Sequence, residues 1–159
     1  MKHTAKDTSA VYSLTTSEAD ILGQAEEILM RRWKRLGAVA NPKDAGDWIR
    51  MKIGHLDHEV FHVVFLDNRH RIIASENMFR GTVDGASLHP REVVKAALFH
   101  NAVAVLLAHN HPSGVAEPSA ADRSITAELQ AALSMVSIRV LDHLIVGETV
   151  VSMAARGLM

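Results

Sequence analysis

The sequence predicts an α/β fold, a three-layer α-β-α domain with a mixed β-sheet, and three observations carry that prediction. Apolar residues recur at helical spacing in four segments and alternate or run together in five others, in the order α-α-β-β-α-β-α-β-β. Two pairs of strand segments are joined by turns short enough for hairpins, which makes those neighbours antiparallel. The remaining strand, "AVAVLLA" at 102–108, contains no polar residue, as expected where helices cover both faces of a sheet.

The elements follow in order. Residues 1 to about 16 are polar and read as a mobile tail. Ser17-Glu18-Ala19-Asp20 has capping-box spacing, and Ile21, Leu22, Ala25, Ile28, Leu29 and Trp33 then share a helical face, with Gly37 as a stop. The basic run Arg31-Arg32-Trp33-Lys34-Arg35 falls on the last turn, where cations complement the carbonyl end of the helix dipole. Asn41-Pro42 marks a break, which divides the chain into an N-terminal tail and helix (1–41) and a main domain (42–159). A short helix over about 43–53 turns Trp48, Ile49 and Ile53 inward and ends near Gly54.

From Glu59 the apolar period becomes two. "EVFHVVFLD" reads as a strand, "NRHR" as a turn and "IIASENMF" as the returning strand, followed by the loop "RGTVDGAS". Pro90 suits the first turn of a helix reaching about His100, with Val93, Val94, Ala97 and Leu98 on its buried side. Ser119 to Leu133 form the last helix, and "SIRVLDHLIVG" with "TVVSM" close a hairpin at Gly147-Glu148. Gly81, Gly85 and Gly114 read as turn residues.

Composition narrows the function classes. At 48% hydrophobic and 22% charged residues the chain is an ordinary folded domain, with few aromatics to build its core. Lys+Arg number 17 against 18 Asp+Glu, so the charge gives no support to a nucleic-acid partner, although a neutral total leaves room for a local patch. Cysteine is absent, which removes disulfides, thiolate zinc sites and a cysteine nucleophile. It also removes a zinc deaminase site, which pairs His-x-Glu with Pro-Cys-x-x-Cys. No apolar leader or membrane-length apolar stretch occurs, so a cytoplasmic protein without a membrane partner is expected.

The chemistry concentrates in "LLAHNHPSGVAEPSAAD", residues 106–122. In an extended segment residues i and i+2 face the same way, so His109 and His111 aim both imidazoles at one point at a strand end. Asp122 lies on the first turn of the following helix, folded back toward that end. Two neutral imidazoles and a carboxylate suit zinc with a fourth position open to water. A simpler account covers part of the pattern: Ser119 and Asp122 form a capping-box variant worth about 1 kcal/mol without any metal. Asn110 points to the opposite face and fixes the loop. His143 is either a further site residue or, preferably, a strand histidine bonded to backbone or to Asp142. His55, His58, His62 and His70 fit no single ligand set and read as solvated or edge residues.

His-x-His, seven residues, Ser, two residues, Asp is the JAMM (MPN+) metalloprotease signature, matched by His109, His111, Ser119 and Asp122. "HNHPSG", "PSAAD", "LDHLIVG" and the upstream "FRGTVDGASLHPREVVKAALFHNA" resemble the RadC family, and the resemblance covers about 42–159. Asn110 stands where JAMM proteases usually carry Ser or Thr. Longer RadC-type proteins carry a larger N-terminal region with helical DNA-binding-like motifs, and this sequence resembles the short stand-alone forms.

The resemblance implies a cytidine deaminase-like fold of the JAB/MPN type and one Zn2+ per chain on His109, His111 and Asp122. Its activity would be that of a zinc-dependent hydrolase acting on a peptide or isopeptide bond. A glutamate base is required; of Glu59, Glu76 and Glu92, the resemblance places it at the start of the first strand, at Glu59. Ser119 becomes the oxyanion donor. The alternative is a RadC-like non-catalytic or DNA-repair-associated binding module that keeps the fold, with or without the metal.

Overall fold

The computed structural model describes residues 15–36, 42–81 and 88–159, and its elements follow the predicted order. α1 (Thr16–Leu36) and α2 (Pro42–Ile53) precede the hairpin of β1 (Val60–Leu66) and β2 (Ile72–Arg80). α3 (Pro90–Phe99), β3 (Ala104–Asn110), α4 (Ala120–Ser134), β4 (Arg139–Val146) and β5 (Val150–Ser152) complete the chain. The strands form one five-stranded mixed sheet in the order β2-β1-β3-β4-β5. β1 pairs antiparallel with β2 and β3, β3 runs parallel to β4, and β4 turns back onto β5. The parallel pair is the one that needs a long crossover, supplied by the loop and helix that follow β3.

Side-chain alternation gives the sheet two cores. Val64, Leu66, Leu106, Ala108, Leu144 and Val146 pack on Ala45, Trp48, Ile49 and Ile53 of α2. Phe61, Val63, Phe65, Val105 and Leu107 point the other way, onto Val93 and Ala97 of α3 and Ile125, Leu129 and Leu133 of α4. Each fully buried Phe or Leu contributes roughly 1.5–3 kcal/mol by leaving water. The result is the expected three layers, with β1 and β3 buried along their whole length. This corrects the reading of His62 as solvated or at an edge. β1 is central, so its even-numbered side chains pack toward α2, and His62 is 1% exposed with its ring edge-on to Trp48. His55, His58 and His70 do take peripheral roles, bonded to Met51 C=O, Asp57 and Arg139 respectively.

Three local expectations shift. The α1 cap is Thr15 and Glu18, each two residues earlier than the expected Ser17 and Asp20: Thr15 Oγ1 accepts the Glu18 N–H at 3.2 Å, and Glu18 Oε2 accepts the Thr15 N–H at 2.8 Å. α1 packs chiefly on α2, so Leu29 and Met30 reach the core while Ile21 and Ile28 stay exposed. Leu98 is likewise exposed, because α3 buries the narrow i, i+4 stripe of Val93 and Ala97. The expectations for residues 1–14, Gly37, Asn41, Gly85 and the side chains of Trp33 and most of the basic run lie outside the described residues. No helix among the described residues is long and apolar enough to cross a membrane.

Candidate metal centre

β3 carries His109 and Asn110 to its last residue, and His111 follows at once. The turn at Pro112–Gly114 is drawn onto the β4–β5 connection: Gly114 N–H donates to His111 C=O at 2.9 Å, and Glu148 N–H donates to Gly114 C=O at 2.8 Å. Gly114 has φ +85°, a backbone region that glycine occupies without strain. The chain then enters α4 at Ser119. Ser119 Oγ accepts the Asp122 N–H at 3.1 Å and Asp122 Oδ2 accepts the Ser119 N–H at 2.7 Å, so the capping box exists in full. It does not displace Asp122 from the histidines. The same carboxylate places Oδ1 3.0 Å from His109 Nε2 and Oδ2 3.6 Å from His111 Nε2.

The three side chains offer ligand atoms that lie within 4.8 Å of one another, and the two Nε2 atoms are 2.9 Å apart. Their outward nitrogens are already committed. His111 Nδ1 lies 2.7 Å from Val115 C=O, which can only accept, so Nδ1 carries the proton and Nε2 the lone pair. His109 is fixed through two further residues. The Thr126 hydroxyl donates its one proton to Asp122 C=O, so His143 Nδ1, 2.6 Å away, donates to Thr126 Oγ1. His143 Nε2 then accepts from His109 Nδ1 at 2.9 Å, leaving His109 Nε2 with a lone pair. Two imidazole lone pairs and a carboxylate therefore converge on one point, an arrangement that calls for a cation between them. The nitrogen separation is close to the ~3.3 Å edge of a tetrahedron with zinc-length bonds of ~2.0–2.1 Å. The residues fit a metal ion.

The surroundings keep this set dry and rigid. His109 and Asp122 are 1% and 2% exposed, and Phe61 stacks on the His109 ring at 6.2 Å with planes 10° apart. Burial pushes the Asp122 carboxyl up, but its contacts with His109 and Ser119 hold it far below the usual carboxylate range. Burial pushes His143 well below the ordinary imidazole value, so it stays neutral. His143 is thus not the backbone-bonded strand histidine that the sequence favours. Its N–H does donate to Asp142, but its ring bridges His109 and Thr126. Thr126 went unnoticed in the sequence; its signal was a hydroxyl one turn after Asp122 on the buried face of the helix.

The remaining candidates are placed as follows. Glu59 immediately precedes β1 and its C=O accepts the Gly81 N–H at 2.9 Å. Glu59 lies two residues before Phe61, where the β1–β3 ladder ends opposite His109, so it stands just outside that ladder. The Glu59 carboxylate makes no hydrogen bond or ion pair among the described residues and is outside the group of three. Glu76 lies mid-strand in β2, opposite Val63, rather than at a strand end, and pairs with His100. Glu92 pairs with Lys95 at 3.1 Å on the first turn of α3. Asn110 turns to the opposite face and bonds the 56–60 segment, as its alternation demands.

Comparison with known proteins identifies the family. A family profile described as RadC-like JAB domain matches residues 39–158. A UPF0758 protein of Thioalkalivibrio sulfidiphilus is 52% identical over 139 residues, covering 87% of this chain and 62% of the relative. One from Vibrio cholerae is 53% identical over 140 residues, covering 88% and 89%, and one from Nitrosococcus oceani is 56% identical over 127 residues, covering 79% and 57%. The chain thus spans less than two thirds of the Thioalkalivibrio and Nitrosococcus relatives and most of the Vibrio one. With a profile match across three quarters of its length and relatives at half identity, the chain belongs to the RadC-like JAB domain family.

Proposed function

We propose that the chain is a zinc-dependent hydrolase of the JAMM type that cleaves a peptide, isopeptide or related amide bond. The observation that carries the reading is the convergence of His109 Nε2, His111 Nε2 and the Asp122 carboxylate, with both Nδ1 atoms already spent as donors. A set of two imidazoles and one carboxylate suits zinc better than the hard, oxygen-seeking cations. Bound there with a position left open, zinc supplies a water of lowered pKa and polarises a carbonyl.

The chain's own residues divide the rest of the work. Glu59, just outside the end of the β1–β3 ladder, takes up a proton at its carboxylate and returns it to the leaving amine. Ser119 has a second use for its hydroxyl. The cap takes an Oγ lone pair, and the O–H proton, shared in the resting site with the Asp122 carboxylate, turns to donate to a developing oxyanion. Ser119 is exposed, so a substrate can reach its hydroxyl. The Phe61 ring and the α4 face exclude water from behind the ligands.

The test begins with metal analysis of purified protein beside Asp122→Ala. One zinc per chain, lost in the variant, is expected; a wild type that takes up no metal under zinc-replete conditions overturns the reading. The zinc-loaded protein is then offered internally quenched peptides and peptides joined through a lysine ε-amine. Cleavage that disappears in a zinc-retaining Glu59→Gln variant supports the assigned base. Zinc retention without cleavage of any probe points instead to a binding module.

A further inference from the structure

We infer that Asn110, the residue between the two histidine ligands, is a positioning residue for Glu59: its carboxamide clamps the segment that carries the base and registers it against the metal ligands. The inference rests on the proposed role of Glu59 as that base.

His109 and His111 face α4, so Asn110 faces the α2 side, where it is 1% exposed. A buried carboxamide must find partners. Asn110 Oδ1 accepts the Val60 N–H at 2.8 Å, and Nδ2 donates to His58 C=O at 2.9 Å and to Leu56 C=O at 3.4 Å. These partners bracket Glu59. The His58 carbonyl belongs to the peptide group before the Glu59 Cα, and the Val60 N–H to the peptide group after it. One side chain therefore holds both peptide planes that flank Glu59, which fixes the direction of its Cα–Cβ bond.

The backbone alone does not do this. The pairing of β1 with β3 reaches outward only as far as Phe61 and His109. One step further out, the Val60 amide is taken by the Asn110 side chain. On the other flank Glu59 C=O accepts from Gly81 N–H at 2.9 Å, which ties the residue to the end of β2 but leaves its spacing from β3 to Asn110. The same residue thus sets the backbone of both histidine ligands and the approach of the Glu59 carboxylate. A serine or threonine there offers one hydroxyl on a shorter arm and cannot span from Val60 to Leu56. Misplacing a reacting group by about 1 Å lowers a rate by about 100-fold, so a clamp of this kind acts on turnover while leaving the metal ligands in place.

The experiment compares zinc-loaded wild type, Asn110→Ser, Asn110→Ala and Glu59→Gln. Amide exchange at Val60 is read by NMR, zinc by metal analysis, and hydrolysis by the quenched peptide and isopeptide probes. In the wild type the Val60 amide is expected to be protected like its neighbours inside β1; an unprotected Val60 amide overturns the clamp without recourse to any variant. Asn110→Ser is expected to keep one zinc, to exchange Val60 at least 10-fold faster, and to lose roughly 10- to 100-fold in kcat with little change in KM. If Asn110→Ala does not fold, the serine variant supplies the comparison. Where Glu59→Gln is inactive, an Asn110→Ser protein that keeps kcat within twofold, or loses kcat with Val60 still protected, overturns the inference alone. A Glu59→Gln protein that still hydrolyses, or a wild type that cleaves no probe, overturns instead the reading on which it rests.

Discussion

Replacing Thr126 with Val tests the chain of bonds behind the ligands. Valine keeps the shape of threonine and removes only the hydroxyl that joins Asp122 C=O to His143 Nδ1. The Asp122 carbonyl still has its helical partner, whereas the N–H of His143, wholly buried, loses its acceptor. An unsatisfied buried donor costs about 1–3 kcal/mol, and that is the loss expected in urea denaturation of the metal-free protein. Zinc binding should weaken further. With His143 free to move its proton to Nε2, His109 is no longer obliged to present a lone pair at its own Nε2. Losing such an outer partner typically weakens metal binding 10- to 100-fold, about 1.4–2.7 kcal/mol. Thr126→Ser is the control: it keeps the hydroxyl and loses one methyl, about 0.8 kcal/mol of stability, and should bind zinc like the wild type. Competition with a chelator measures both. Equal zinc affinity in Thr126→Val and wild type, or equal losses in the valine and serine variants, would refute the tautomer argument.

Ser119→Ala should cost about 1 kcal/mol of stability through the lost cap, and about 100-fold in kcat at saturating zinc; a kcat loss below threefold would leave the hydroxyl only its capping role. A Cβ at Gly147 would stand 2.3 Å from the Gly114 carbonyl oxygen and 2.9 Å from Ala116 N, backbone that cannot swing aside. Gly147→Ala should therefore push the 112–116 loop and with it Val115 C=O off His111, at a cost of about 1–3 kcal/mol and a measurable loss of zinc affinity; unchanged zinc titration would show that the loop does not hold the ligand. Burial, partly offset by the Asn77 bond, pushes His62 below its ordinary 6.5. Below that value the unfolded chain binds a proton that folded His62 refuses, so stability falls as pH drops through about 6.5. His62→Gln should flatten that slope between pH 8 and 5.5, and a variant whose urea stability keeps the full slope would clear His62 of the effect.

Sequence periodicity made the element order, the hairpins and the buried run at β3 legible, because each depends on local spacing. The ligand set was legible for the same reason: His109 and His111 are two apart on a strand, and Asp122 is placed by a helix cap that can be read directly. What stayed hidden depends on contacts between distant segments. His62 looked like a polar position on a half-buried strand, since nothing local announces that β1 lies between β2 and β3 with helices over both faces. His143 on β4 meets His109 across 34 residues and Thr126 on α4 meets His143, and these bonds follow only once the β3–β4 register brings Leu107 beside His143. Ile21 and Ile28 had the right helical spacing for burial, but spacing gives a face, not the neighbour that covers it.

The two-residue period of β3 also explains how a site with so few residues can be rigid. Odd positions 105, 107 and 109 face α4, so the strand that delivers His109 also packs Leu107 against the helix that delivers Asp122. Even positions 104, 106 and 108 build the α2 core, and Asn110 continues that row at the strand end with a polar side chain. The change from apolar to polar coincides with the end of the β1 ladder, where backbone pairing stops and another acceptor is needed for the Val60 N–H. A leucine at 110 would extend the core but leave that donor buried and unsatisfied, at about 1–3 kcal/mol. A polar acceptor is therefore required by the strand's own termination before any chemistry is considered, and Asn110 supplies it. That this residue bonds on both sides of Glu59 is what ties the fold to the proposed reaction.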